Sequence, residues 1–269
     1  MAGASARLAL VTGASAGIGE AFARAYAARG FDVALVARRA ERLEALAAEL
    51  KAAHGVQALV IPADLAVWDA HVPVLEAVSK AGRQVDVLVN NAGFGIAQDF
   101  TGVPWERQRD FLMTLVVSAC GLAYGVIPGM SGRGWGRIVN VASLAAFSPG
   151  AAGHTLYPAA KSFALKFSQS LDAELRGKGI KVTAVCPGFT KTEFAAVNGT
   201  QELMDQAPRL FWQTSAEVAE AAIVANEAGR VVIVPGWHNK LAAGLMQALP
   251  DRILSALIRR GAAKYRLED

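Results

Sequence analysis

The chain has 269 residues, of which 53% are hydrophobic and 19% charged, enough apolar material for a sizeable core and too much for a disordered chain. Its formal net charge is +4, with 27 Lys and Arg spread along the sequence rather than massed in a block, so nucleic acid is not an expected partner, whereas an anionic cofactor suits the balance. Two cysteines, Cys120 and Cys186, match no metal-ligand spacing and lie among apolar neighbours, which predicts reduced core residues, no disulfide, no metal site and a cytoplasmic setting.

The first residues, MAGASARLALVTG, hold no charged region followed by a sufficient apolar stretch, so a secretory signal is not expected. No uninterrupted apolar run approaches the roughly 20 residues of a membrane span, which predicts a soluble protein. Short β-rich runs then follow one another: RLALVT, DVALVA, ALVIP, VDVLVN, RIVNVA, KVTAVC and RVVIV. Their nearly continuous apolar character suits strands covered on both faces. Longer helical patterns separate them; AERLEALAAELKAAHG places Leu43, Leu46, Ala47 and Leu50 on one face and stops at Gly55. This alternation predicts βαβ units, a parallel sheet and one domain, with ligands in the crevice at the carboxyl ends of the strands.

Directly after the first run, TGASAGIGEAFARAYAARG carries Gly13, Gly17 and Gly19 into a helix. Glycines allow a tight turn and let backbone N–H groups approach a pyrophosphate, and the helix N-terminus adds partial positive charge. At the end of the second run, where an acidic residue would bind the ribose of NAD, the chain offers VARRAERL. Arg38 and Arg39 suit a 2′-phosphate, while Glu41 suits the first turn of the next helix. The reading favours NADP(H) over NAD(H); the alternative is a pair of solvated surface arginines.

YPAAK places Tyr157 and Lys161 one helical turn apart, with Pro158 in the first turn, where proline is tolerated. Such pairs also occur merely as neighbours on a helix surface. A free tyrosine titrates near ~10, and an adjacent ammonium favours its phenolate, so the pair can serve as an acid/base at a carbonyl or alcohol oxygen. Ser143 in NVASLAA, at the end of the fifth run, faces the same crevice and can hydrogen-bond that oxygen.

TGASAGIG, NNAG at residues 90 to 93, YPAAK at 157 to 161 and PGFTKT at 187 to 192 stand in an order that resembles the short-chain dehydrogenase/reductase family. The resemblance implies a Rossmann-like doubly wound parallel sheet of about seven strands with helices on both faces. It also implies a nicotinamide cofactor, a small-molecule carbonyl or secondary alcohol as substrate, and a homodimer or homotetramer. Ser143, Tyr157 and Lys161 would then be catalytic. Gly13, Ser15, Gly17, Ile18 and Gly19 would hold the pyrophosphate region, Asp64 the adenine, and Asn90, Ala92 and Gly93 the adenosine ribose region. Thr190, after Pro187 and Gly188, would hold the carboxamide, and Tyr157 and Lys161 would also touch the nicotinamide ribose. Simpler roles stand beside two of these: Asp64 as a cap, and Pro187 with Gly188 as a turn out of a strand.

One position departs from the family. About thirteen residues before PGM the family often has an asparagine that positions a water beside the lysine, and here the count reaches Leu115 in MTLVVSACG. Either Ser118, one turn later, substitutes for it, or the register slips. His154 and His238 receive no role. Beyond a core of residues 1–236, the segment 237–269 is longer than the family needs. It carries Leu241, Leu245, Met246 and Leu249, then Ile253, Leu254, Leu257 and Ile258, interrupted by Pro250 and followed by Arg259, Arg260, Lys264 and Arg266. It reads first as a lid, packing element or subunit contact, and second as a peripheral membrane contact. The function these features predict is NADP(H)-dependent interconversion of a carbonyl and a secondary alcohol on a hydrophobic substrate, with Tyr157 as acid/base. The alternative is a nucleotide-binding sensor or scaffold with lost turnover, which Leu115 motivates.

Overall fold

The apolar runs become strands in a computed structural model of the chain, which describes residues 6–150, 152–194, 209–250 and 252–255. The strands are β1 Leu8–Thr12, β2 Asp32–Ala37, β3 Ala58–Pro62, β4 Val85–Asn90, β5 Gly136–Val141, β6 Ile180–Val185, β7 Thr190–Lys191, β8 Gln213–Thr214 and β9 Val232–Ile233. Among the described residues, seven of them form one sheet in the order β3-β2-β1-β4-β5-β6-β9, and β7 pairs with β8 apart from it. Every pairing is parallel. The helices are α1 Gly17–Ala27, α2 Ala40–His54, α3 His71–Lys80, α4 Trp105–Leu112, α5 Ser118–Arg133, α6 Leu156–Leu175, α7 Ser215–Glu227 and α8 Trp237–Ala248.

Both faces of the sheet are covered, as the unbroken apolar runs require. On one face Phe22, Tyr26, Leu43, Leu46 and Leu50 of α1 and α2, with Val218 and Ile223 of α7, pack on Val33, Leu35, Val87 and Val89. On the other, Val74, Leu122, Met130 and Leu171 of α3, α5 and α6 pack on Leu8, Leu10, Leu88 and Ile138. The α2 stripe read from the sequence is thus the buried one, and Gly55 ends the helix at φ 69°. The chain builds outward from β1 through β2 to β3, then returns to β4 beside β1 and builds the other way. The strand order reverses between β1 and β4, which opens a crevice at their carboxyl ends.

The stretch Trp105–Arg133 is helical over 29 residues and contains an 18-residue window of mean hydropathy 1.9, long and apolar enough by length and composition alone to cross a membrane. Polar and glycine residues break its apolar run in the sequence, yet the helix continues through a π-helical turn at Met113–Val117 and past Pro128. Leu122, Ala123, Val126 and Met130 bury its inner face in the second core.

Candidate active site

The glycine turn between β1 and α1 is shaped by atoms that leave no space for side chains. Gly13 and Gly17 have φ of 67° and 60°, the left-handed region that favours glycine. A Cβ on Gly19 would overlap Gly13 O and lie 2.5 Å from Asn91 Nδ2. The turn therefore fits a pyrophosphate, with backbone N–H groups at the start of α1. Ile18 packs down against the first core. Thr12 and Asn91, which the sequence reading passed over, fix the turn from below. Thr12 Oγ1 donates to Val89 O at 3.2 Å and accepts from the N–H groups of Asn91 and Ala92 at 2.9 and 3.0 Å. Asn91 Nδ2 donates to Thr12 O at 2.9 Å. Asn90, expected at the adenosine ribose, turns its side chain inward instead. Its Nδ2 donates to Asn140 Oδ1 at 2.9 Å and to Ala119 O at 3.2 Å. The alternation of strand side chains makes this so: at the end of β4 one asparagine must face the helices and the next the glycine turn.

Asp64 takes the capping role, accepting from Ala66 N at 3.0 Å, at an exposed position just after β3. The two arginines separate. Arg38 is exposed and makes no hydrogen bond or ion pair among the described residues. Arg39 donates from Nη2 and Nε to Ser15 Oγ at 3.0 and 3.3 Å, which ties the end of β2 to the glycine turn.

Across the crevice, β5 and α6 bring Ser143, Tyr157 and Lys161 together. The Ser143 hydroxyl acts on the Tyr157 phenol, favouring its charged form. Lys161 is buried, donates from Nζ to Val141 O at 2.8 Å, and lies 5.6 Å from the centre of the Tyr157 ring. Burial pulls its ammonium down to about 8. Burial pushes the Tyr157 phenol above its ordinary value, against the pull of the Ser143 hydroxyl. The expected lowering of the phenol by the ammonium is therefore not the dominant effect: desolvation acts on both groups and disfavours both charges. Ser143 Oγ also accepts from Ala145 N at 3.1 Å, as the cap of a tight turn at Leu144–Phe147. Cys186 is buried near this turn, and burial pushes its thiol up to about 12.

Leu115 lies in the π-helical turn, with Cγ 3.2 Å from where a Gly93 Cβ would be. With Thr114, Asn90, Asn140 and Lys161 it borders a cavity of about 20 Å³. Ser118 does not replace the family's asparagine: it is buried and spends its hydroxyl on Leu65 O at 2.7 Å.

Beyond β6, Pro187 O accepts from Leu144 N at 2.8 Å, so the PGFT segment is tied to the Ser143 turn. Thr190 is buried, its hydroxyl donating to Gly188 O at 3.1 Å. A Cβ on Gly188 would overlap the Asn239 carboxamide, and Asn239 Nδ2 donates to Gln213 Oε1 and Pro235 O, both at 2.9 Å. The tail thus reaches this side of the crevice through Asn239, and Leu254 of its leucine series is buried. Asn239 and Ala243 are the buried residues of α8, while Leu241 and Leu245 are both 60% exposed. Leu257, Ile258, Arg259, Arg260, Lys264 and Arg266 lie outside the described residues.

A family model described as short chain dehydrogenase matches residues 7–203. A protein of Myxococcus xanthus (strain DK1622), named as an uncharacterized oxidoreductase, is 35% identical over 260 residues, 97% of this chain and 99% of its own. A short-chain dehydrogenase from Sphingobium yanoikuyae, solved in complex with NADPH, superposes with a TM-score of 0.79 at 31% identity, covering 98% of this chain and 96% of that one. The bulky-bulky ketone specific alcohol dehydrogenase from Comamonas testosteroni superposes with a TM-score of 0.76 at 28% identity, covering 99% and 96%. With its motifs folded into one crevice and matches that run nearly from end to end, the chain belongs to the short chain dehydrogenase family of NAD(P)-dependent oxidoreductases.

Proposed function

We propose that the protein interconverts a hydrophobic carbonyl compound and its secondary alcohol with NADP(H), using Tyr157 as acid/base. The observation that carries this is the grouping of Ser143, Tyr157 and the buried Lys161 at the crevice that the glycine turn also borders. When bound, the nicotinamide supplies or takes the hydride. Ser143 holds the substrate oxygen, and Tyr157 gives it the proton during reduction or removes it during oxidation. Lys161 balances the charge on the phenolate that reduction leaves. A phenol kept neutral by burial is ready to donate, which favours carbonyl reduction near neutral pH.

Arg38 and Arg39 support the preference for NADP(H), and the NADPH complex of the Sphingobium relative agrees with it. An apolar substrate is supported by the aromatic groups along the Pro187 side: Phe194 stands 5.8 Å from the Tyr157 ring and Phe189 5.8 Å from Trp212. The bulky ketone of the Comamonas relative is in keeping with that lining. Residues 237–248 act as a wall of the substrate pocket, and the exposed Val117, Tyr124 and Phe163 on neighbouring helices form the face of a homo-oligomer. We place the protein in the cytoplasm on the strength of its two thiols, Cys120 and Cys186.

A panel of aryl and alkyl ketones, aldehydes and secondary alcohols, followed by NADPH absorbance with Tyr157→Phe as control, tests the reading. Oxidation or reduction of at least one bulky apolar member, lost in the control, is the expected result. NADPH binding without turnover of any member would favour the sensor reading that Leu115 motivates.

A further inference from the structure

The segment Thr192–Phe194 lies across both ends of the nucleotide site. At one end the Phe194 ring covers Tyr157, with centroids 5.8 Å apart. In the middle, a Cβ on Gly17 would come within 3.0 Å of Thr192 Cγ2, so the segment rests on the glycine turn. At the other end Glu193 receives two guanidinium groups: Arg39 Nη1 donates to Oε2 at 3.0 Å and Arg42 Nη1 to Oε1 at 2.7 Å. These arginines come from the end of β2 and the first turn of α2, the place where the sequence expects a 2′-phosphate. Hydrogen bonds from Arg42 and Arg39 hold the Glu193 carboxyl below its usual range.

The Glu193 side chain is 47% exposed, so these ion pairs add little to folding stability. Their consequence lies in which anion the arginines accept. A guanidinium fork takes a carboxylate or a phosphate with the same planar geometry. Arg42 was not singled out in the sequence, because its partner is 151 residues away.

We propose that Glu193 is a specificity-determining residue: it occupies Arg39 and Arg42 as an internal anion that the 2′-phosphate of NADP(H) must displace and NAD(H) need not. This rests on the reading of Arg39 as a phosphate ligand. Displacement narrows the preference for NADP(H) that the arginines alone would give.

The test is a fluorescence titration of the full-length protein with NADPH and NADH at fixed salt, and with adenosine 2′,5′-bisphosphate and 5′-AMP as probes lacking the nicotinamide. Glu193→Gln keeps the shape and removes the charge. It should tighten NADPH and the bisphosphate about 5- to 20-fold, while NADH and 5′-AMP change less than about 2-fold. Glu193→Asp, which keeps a shortened carboxylate, should fall between. Equal changes for both cofactors, no change, or weaker NADPH binding in Glu193→Gln would each overturn the proposal. The underlying reading is tested separately by Arg39→Ser with Arg42→Ser. If that pair leaves the NADPH to NADH ratio untouched, the arginines are not the phosphate site at all, whatever Glu193 does.

Discussion

On the β1 and β4 side of the crevice, each turn is fixed by a contact that excludes even one extra carbon atom, whereas the described residues around β7, β8 and α8 are joined through polar bonds and leave large apolar groups in solvent. Gly13, Gly17 and Gly19 belong to the first kind, braced by Thr12 and Asn91. On the second side β7 and β8 pair over two residues each, and Trp237, Leu241 and Leu245 stand more than half exposed. One point there is tight, where Asn239 meets Gly188. The contrast follows from the ligands. A dinucleotide is the same in every turnover and rewards a preformed cradle, while a substrate pocket gains from surfaces that adjust. The chemistry of Ser143, Tyr157 and Lys161 stands on the rigid β5 and α6, at the border of the two.

The largest expected effect lies at that border. Tyr157→Phe removes the transferable proton and keeps the ring against Phe194, so turnover should fall by about 10² or more with NADPH affinity within about 2-fold. Stopped assays with the best panel substrate measure the first and fluorescence titration the second. A variant that turns over as fast as the parent would remove Tyr157 from the mechanism. Next comes the rigid side itself. Gly19→Ala inserts a methyl group into Gly13 O and Asn91, and NADPH Kd should rise by about 10-fold or more. Unchanged affinity would mean that the cradle yields and the contrast is overstated.

Lys161 gives a stability test of the border. The unfolded chain holds this proton at 10.5 and the folded chain only at about 8, because burial disfavours the ammonium. The cost is therefore fully present below pH 8, and it fades as pH rises from 8 toward 10.5. Its size is on the order of 3 kcal/mol, offset in part by the bond to Val141 O. Lys161→Met should thus abolish turnover yet raise Tm by about 2–6 °C at pH 7, and that gain should shrink above pH 8. Calorimetry at pH 7 and 9.5 decides it; a lower Tm at pH 7 would show that Lys161 is a net stabiliser. The smallest effect belongs to the adaptable side. Asn239→Ala frees Gly188 from its one tight contact, and KM for the carbonyl should rise by about 3- to 10-fold, more than Kd for NADPH. Equal rises would place Asn239 with the nucleotide half.

What the sequence made legible follows the same division. Strand runs, the α2 stripe and the glycine turn are local patterns, set by periodicity and by the φ freedom of single residues, and they appear in the structure where they were read. The misread positions depend on partners far away in the chain. Asn90 and Asn91 are adjacent and chemically identical, and only the pleat of β4 decides which one serves the core. Ser118 is spent on Leu65, 53 residues earlier, and Arg42 on Glu193, 151 residues later. The tail is split: α8 buries Asn239 and Ala243 and leaves Leu241 and Leu245 exposed, while Leu254 beyond Pro250 is buried.

The buried Cys186 thiol beside Ser143 has a consequence for handling the protein. Alkylating agents and peroxide attack the thiolate, and burial pushes this thiol up to about 12, so little thiolate is present at neutral pH. Air oxidation during purification should therefore spare this residue, and the crevice needs no protecting reductant on its account. Any inactivation by maleimides or iodoacetamide traces instead to Cys120 on α5, the more accessible sulfur, whose reaction would act on the helix and not on Ser143, Tyr157 or Lys161.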